Sequence, residues 1–80
     1  MNDPKAKMDK IKAIITEVFQ IDASVITMET TPSDIEAWDS LGQLLLIQKI
    51  EETYRLTLDL KEILNIKTVG DIYKILESRG

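Results

Sequence analysis

Hydrophobic residues recur at α-helical spacing in the first quarter of the chain, with the lysines lying off the apolar stripe. The stripe consists of Met8, Ile11, Ile14, Ile15, Val18 and Phe19. Asp3 followed by Pro4 is a capping residue followed by proline, which is favoured at the first helical position. The pattern therefore predicts a first amphipathic helix from Pro4 to about residue 19.

A second helical pattern begins at Asp39 or Ser40 and continues to about Arg55. Both residue types cap helix N-termini, and Ser40 with Gln43 also fits a reciprocal capping box. The residues that share one side of this helix, and that we expect in the core, are Leu46, Ile47, Ile50 and Tyr54. The pattern predicts a helix that opens at Asp39 or Ser40.

Three leucines of the second helix lie away from its core side. With Leu41 set at zero and 100° per residue, Leu41, Leu44 and Leu45 fall between about 300° and 40°. An apolar patch separate from the core side contacts either a neighbouring helix or a partner protein. The sequence does not decide between these two.

Two shorter patterns follow in the last third of the chain. Asp59 can cap a short helix over 60–64, after an extended segment over 56–58. Thr68 and Asp71 resemble a capping box with Asp in place of Glu, and this last helix should end by Ser78. Its apolar face consists of Val69, Ile72, Tyr73 and Leu76. The sequence predicts one all-α domain over 1–80, with three longer helices and one short third helix.

The segment between the first two long helices has no sustained period. Residues 30–33 are turn-forming, so we expect a long loop. The apolar residues expected to hold the loop against the core are Ile21, Val25, Ile26 and Ile35, with one short helical turn over 23–26. A loop of this length is uncommon in a compact domain unless it has a function.

Composition excludes several kinds of chemistry. Among 80 residues, 44% hydrophobic, there is no cysteine and no histidine. The commonest general base and the usual metal ligands are therefore missing, and we predict neither catalytic residues nor a metal site. No apolar run approaches the ~20 residues of a bilayer span, and the N-terminus lacks a signal-peptide core. We therefore expect a cytoplasmic protein.

The net charge of −4 disfavours nucleic-acid binding, and its distribution along the chain is uneven. Residues 20–48 contain no lysine or arginine, so the other 51 residues sum to +1 (−4 plus 5). The five acids of this segment are Asp22, Glu29, Asp34, Glu36 and Asp39. Such a segment is either a solvated loop or an electrostatic guide for basic partner surfaces.

The tripeptide Asp39-Ser40-Leu41, at the start of the second helix of an acidic chain of this length, resembles the acyl carrier proteins. The resemblance covers nearly the whole chain and implies a four-helix bundle of acyl-carrier type. It also implies that Ser40 carries 4′-phosphopantetheine, installed from coenzyme A by a transferase that reads Asp39 and Leu41. The acyl chain is then expected between residues such as Leu46, Ile50, Ile63 and Ile72. Gly42 costs ~1 kcal/mol against alanine and suits close approach of a partner or of the arm, or is simply tolerated.

Two features differ from the fatty-acid carriers of this family. The second helix is neutral, with Leu45 where an acid is common, and Trp38 replaces a small residue. In these features the chain is more similar to stand-alone carriers of specialised bacterial pathways.

We expect a monomer that meets acyl-loading and acyl-processing enzymes. The docking residues expected on the second helix are Leu44, Leu45, Gln48 and Glu52. The alternatives are an aminoacyl or peptidyl carrier and an unmodified helical interaction module, in which Ser40 is only a cap.

Overall fold

A computed structural model describes residues 4–79 of the chain, and its architecture is all-helical over that range. The helices in chain order are α1 (Pro4–Phe19), α2 (Ser40–Tyr54), α3 (Leu60–Leu64) and α4 (Val69–Ser78). Two 3₁₀ turns, Ala23–Val25 and Pro32–Asp34, lie in the loop between α1 and α2. The predicted elements are confirmed, whereas the Asp3 cap lies outside the described residues.

The core lies where the apolar sides of α1, α2 and α4 meet. The side chains with at most 1% of their surface exposed come from these helices and the loop: Ile11, Ile15, Ile26, Leu46, Ile50, Val69 and Ile72. Tyr54 and Tyr73 are only partly buried at the edge of this core. The predicted inward sides of the long helices are thus confirmed.

The long loop is attached to the core by fewer apolar residues than the sequence predicts. Ile26 and Ile35 are buried and Ile21 is half-buried, but Val25 is 60% exposed, so its prediction is wrong. Val25 ends a 3₁₀ turn, and successive residues of such a turn point in different directions. With Ile26 directed inward, Val25 is left facing outward.

Backbone hydrogen bonds connect the loop to the start of α4. The Val69 N–H donates to the Thr30 carbonyl at 3.0 Å, and the Gly70 N–H donates to the Met28 carbonyl at 2.8 Å. Thr30 itself is buried, and its Oγ1 accepts from the Thr27 N–H at 2.8 Å. These bonds satisfy polar groups that the loop would otherwise bury unpaired.

The first two long helices, α1 and α2, are each followed by a residue in the left-handed conformation. Gln20 follows α1 with φ 55°, and Arg55 follows α2 with φ 54°. The Leu56 N–H donates to the Glu51 carbonyl at 3.1 Å, which is the six-to-one bond of a Schellman motif. This geometry directs the chain away from α2 and into α3.

Candidate functional site

The N-terminus of α2 is capped by Asp39. The Asp39 Oδ1 accepts a hydrogen bond from the Gly42 N–H at 2.8 Å, and Asp39 has an extended backbone. Ser40 is therefore the first helical residue, and the alternative Ser40–Gln43 capping box is wrong. Since the Asp39 carboxylate already caps the first turn, the Ser40 hydroxyl is not needed as a hydrogen-bond acceptor for the helix N-terminus.

Ser40 is exposed, and within residues 4–79 its hydroxyl has no hydrogen-bond partner. The N–H groups of Ser40 and Leu41 belong to the first turn, where intrahelical acceptors are lacking. Together with the positive end of the helix dipole, these donors favour an anion attached close by. An accessible hydroxyl at this position fits a phosphodiester link, so the residues present fit a covalent phosphopantetheine.

The close approach at Gly42 is made by the chain itself. A Cβ at Gly42 would lie 2.0 Å from the Ala37 carbonyl oxygen and 3.0 Å from a ring carbon of Phe19. Neither a partner nor the prosthetic arm is needed to explain this glycine, and simple tolerance does not explain it either. Gly42 allows the end of the loop to pack directly on the first turn of α2.

Trp38 has a structural role that the sequence did not predict. Its side chain is 3% exposed, and its ring centroid lies 5.9 Å from that of Phe19. Its Nε1–H donates to the Gln43 Oε1 at 2.6 Å, and the Gln43 Nε2 donates to the Ile63 carbonyl at 3.5 Å. Trp38 and Gln43 occupy the two positions of a hydrophobic staple around the Asp39 cap, and that spacing is the signal that would have found the contact.

A surface groove of about 350 Å³ opens beside Ser40, and we call it the serine groove. It lies between the start of α2 and α3, and its lining residues are Pro32, Trp38, Ser40, Gln43, Ile63, Leu64 and Ile66. Among the residues expected to surround an acyl chain, Ile63 lines this groove. Leu46, Ile50 and Ile72 lie in the packed core. The placement of the cargo among these four residues stays a prediction.

The three leucines assigned to a separate patch on α2 are exposed. Leu41 and Leu44 each have 65% of their surface exposed, and Leu45 has 47%. Gln48 and Glu52 are also exposed, and with Leu45 they line a second groove between α1 and α2. The helical phase derived from the sequence is confirmed, while the docking role of these residues stays a prediction.

Three of the five loop acids have local structural tasks. The carboxylates of Asp22 and Asp39 cap the first 3₁₀ turn and α2, and the Asp34 Oδ2 accepts from the Thr31 N–H at 2.9 Å. The backbone hydrogen bond from Ser24 lowers the pKa of Asp22. Glu29 and Glu36 are exposed and have no such cap bond within residues 4–79. These two are therefore the acids available to a basic partner.

Over residues 4–79, no group of three or more acidic side chains is arranged to hold a metal ion. None of the helices in that range combines the length and the apolar character that a membrane crossing requires.

The profile of the family described as phosphopantetheine attachment site matches residues 9–76. The acyl carrier protein of Streptococcus pneumoniae serotype 4 is 34% identical over 75 residues, covering 94% of this chain and 97% of that protein. The acyl carrier protein of Onion yellows phytoplasma is 38% identical over 64 residues, covering 80% and 84% of the two chains.

Solved structures agree with the sequence comparison. The solution structure of a holo acyl carrier protein from Geobacter metallireducens superposes with a TM-score of 0.82 at 36% identity, covering 90% of this chain and 83% of that one. A putative acyl carrier protein from Mycobacterium tuberculosis gives 0.83 at 28% identity, covering 92% and 99%. The matched family and these relatives define the class of the protein, which is a phosphopantetheine-bearing carrier and not an enzyme. The chain belongs to the phosphopantetheine-attachment family, and within it to the acyl carrier proteins.

Proposed function

We propose that Ser40 is the sole attachment site of 4′-phosphopantetheine, through which the chain carries acyl intermediates as thioesters. The observation that supports this most directly is the exposed, unbonded Ser40 hydroxyl on the first turn of α2. The other serines lack that setting, because Ser24 and Ser33 lie in 3₁₀ turns and Ser78 ends α4. When bound, the group supplies the thiol that forms the thioester.

The chain offers a nucleophilic oxygen but no base for its own modification. As the Ser40 oxygen bonds to phosphorus, the pyrophosphate link of coenzyme A must break and the hydroxyl proton must leave. There is no histidine in the sequence, and the Asp39 Oδ1 is already bonded to the Gly42 N–H. We therefore assign the base to the transferase, with Asp39 and Leu41 as the flanking residues that it reads.

The proposed partners are that transferase and enzymes that load and process acyl groups, in fatty-acid, polyketide or related specialised biosynthesis. The exposed residues proposed to meet them on α2 are Leu44, Leu45, Gln48 and Glu52. We place the protein in the cytoplasm as a monomer. The neutral charge of residues 40–55, with Lys49 and Arg55 against Glu51 and Glu52, supports docking through apolar contact more than through charge.

Intact mass after incubation with coenzyme A and a broad-specificity transferase tests the attachment site. We expect one phosphopantetheine on the wild type and none on Ser40→Ala. Because Asp39 rather than Ser40 is the cap, the alanine variant should keep its helical circular dichroism. Modification that persists in Ser40→Ala would overturn the assignment, and an unmodified wild type would favour the interaction module.

A further inference from the structure

The contact from Trp38 through Gln43 to α3 lies between Ser40 and the core. Gln43 is one turn before Leu46 and Ile47 on the same side of α2, and Ile50 follows one turn later. A chain hanging from Ser40 into the serine groove therefore passes Gln43 before it reaches the fully buried residues. Any cargo longer than the groove meets this hydrogen-bonded pair first.

The two ends of this contact differ in strength. Trp Nε1 is a donor only, so the Gln43 oxygen must face Trp38 and its amino group must face the Ile63 carbonyl. The Trp38 end is short at 2.6 Å and is anchored by burial, while the Ile63 end is at 3.5 Å, the limit of a hydrogen bond. The contact should therefore open at α3.

The helix on the weak side is the one best able to move. All five residues of α3 are described, and none of them is fully buried. A helix of one turn does not persist without tertiary contacts, so α3 depends on its neighbours and on its own Asp59–Glu62 capping box. Displacing Ile63 from Gln43 widens the serine groove on the side of α3, and the Arg79 side chain that pairs with Glu62 of α3 must move with it.

We propose that Trp38, Gln43 and the Ile63 carbonyl form a latch that decides whether cargo on Ser40 stays in the serine groove or enters the core. Gln43 is then a specificity-determining residue, with Trp38 as its positioning residue. The latch rests on the proposed attachment at Ser40. With the latch closed, a short acyl group is unaffected, whereas a medium-length acyl group is held at the surface until α3 moves.

Two variants break the latch from opposite ends. Trp38→Phe keeps an aromatic ring beside Phe19 but removes the Nε1–H donor. Gln43→Met keeps the length of the side chain and removes both hydrogen bonds. Lys61→Met is the matched control, because it places the same methionine on the exposed side of α3. Circular dichroism establishes that each protein is folded. If one latch variant does not fold, the other is sufficient for the test.

Each protein is loaded by a transferase with octanoyl- or acetyl-coenzyme A, and intact mass confirms loading on Ser40. The rate of thioester cleavage by hydroxylamine is then compared with that of the free acyl-coenzyme A. The excess of the free rate over the protein rate, divided by the protein rate, gives the ratio of inserted to surface cargo. For the octanoyl group, we expect each latch variant to raise this ratio by roughly fivefold, the factor given by one net hydrogen bond.

The acetyl group is the length control, because its single methyl group has too little apolar surface to favour entry into the core. Acetyl rates should be the same in all four proteins, and the Lys61→Met octanoyl rate should equal that of the wild type. Octanoyl rates that do not change in either latch variant would overturn the latch, and so would acetyl rates that change equally. A wild type that takes no arm on Ser40 would instead overturn the proposed function, and the mass spectrum shows this before any cleavage is measured.

Discussion

At the start of α2, each of several neighbouring residues has a separate structural role in the site. Asp39 takes the cap, which leaves the Ser40 hydroxyl unbonded, and Gly42 lets the loop pack against the first turn. Trp38, one position earlier, lies in the core against Phe19. The proposed attachment needs an exposed hydroxyl on a backbone that is held in place, and these residues provide both conditions within one turn.

Gly42→Ala should destabilise the protein although alanine is the better helix former. The new Cβ would meet the Ala37 carbonyl oxygen at 2.0 Å, and backbone there must shift. We expect a net cost of about 1–3 kcal/mol in the free energy of unfolding, measured with urea. Gly70→Ala is the control, because its nearest contact is 3.0 Å and its cost should be smaller. Equal costs would show that the loop can yield at Ala37.

The sequence predicted the position of Ser40 but not its surroundings. Helical spacing and capping residue types are local, so the bounds of α2, the Asp59 cap of α3 and the capping box of α4 could be found from the sequence. The Gly42–Ala37 contact and the burial of Trp38 depend on how the loop folds back, which no periodic pattern encodes. For the same reason, the inward direction predicted for Val25 is wrong.

At the scale of the helices, two consecutive leucines of α2 lie in opposite environments. Leu45 is 47% exposed and lines the groove beside α1, whereas Leu46 is completely buried. The Lys49 side chain pairs with Glu17 of α1 at 2.9 Å, but both groups are partly exposed and such pairs contribute little stability. Packing through Leu46 and Ile50, rather than charge, therefore fixes α2 against α1.

Leu45→Glu and Leu46→Glu apply the same chemical change to these two sides. Leu46→Glu buries a charge and should cost several kcal/mol, enough to unfold so small a domain. Leu45→Glu should melt near the wild-type temperature while slowing turnover by acyl-processing partners. Melting temperatures and partner rates check both statements. A stable Leu45→Glu with unchanged partner rates would remove the apolar docking mechanism.

The cap of α4 should make stability depend on pH in acid. The Asp71 Oδ2 accepts from the Lys67 N–H at 2.8 Å and the Thr68 N–H at 3.0 Å, and these bonds lower the pKa of Asp71 from 3.8. The ionised group is thus favoured in the folded state. Its stabilising effect is complete well above 3.8 and is lost as pH falls through the lowered pKa.

Asp71→Asn should therefore be less stable than the wild type at neutral pH, by about 1 kcal/mol, and the gap should narrow below pH 3.8. Urea unfolding at a series of pH values measures this. Glu77→Gln removes one exposed charge from the same helix and serves as the comparison. A gap that stays constant with pH would mean that the carboxylate charge does not matter to the cap.

For the whole molecule, the concentration of acid in one segment matters more than the net charge of −4. Residues 20–48 lie before and around Ser40, and the acids there that are not occupied by caps are Glu29 and Glu36. A field of one sign beside the proposed attachment site raises the rate of encounter with a basic partner. This effect acts on rates and weakens with salt.

Glu29→Gln combined with Glu36→Gln should slow loading by the transferase at low salt, by about threefold, and leave stability unchanged. The rate difference should shrink as salt is added. Loading rates at several ionic strengths, with thermal unfolding as the control, check this. Loss of loading that is independent of salt would point to a direct contact instead of steering.

The fold is less stable than it could be at two positions, Gln20 and Arg55, which follow α1 and α2 in the left-handed conformation. A side chain in that conformation carries a cost of about 1 kcal/mol that glycine avoids. Both positions are exposed and lie outside the serine groove. Selection removes only those variants whose stability falls below what the task requires, so natural proteins are rarely at their stability optimum. Glycine at these two positions is therefore the first change to make where a more stable carrier is needed for foreign cargo, since neither position touches the site at Ser40.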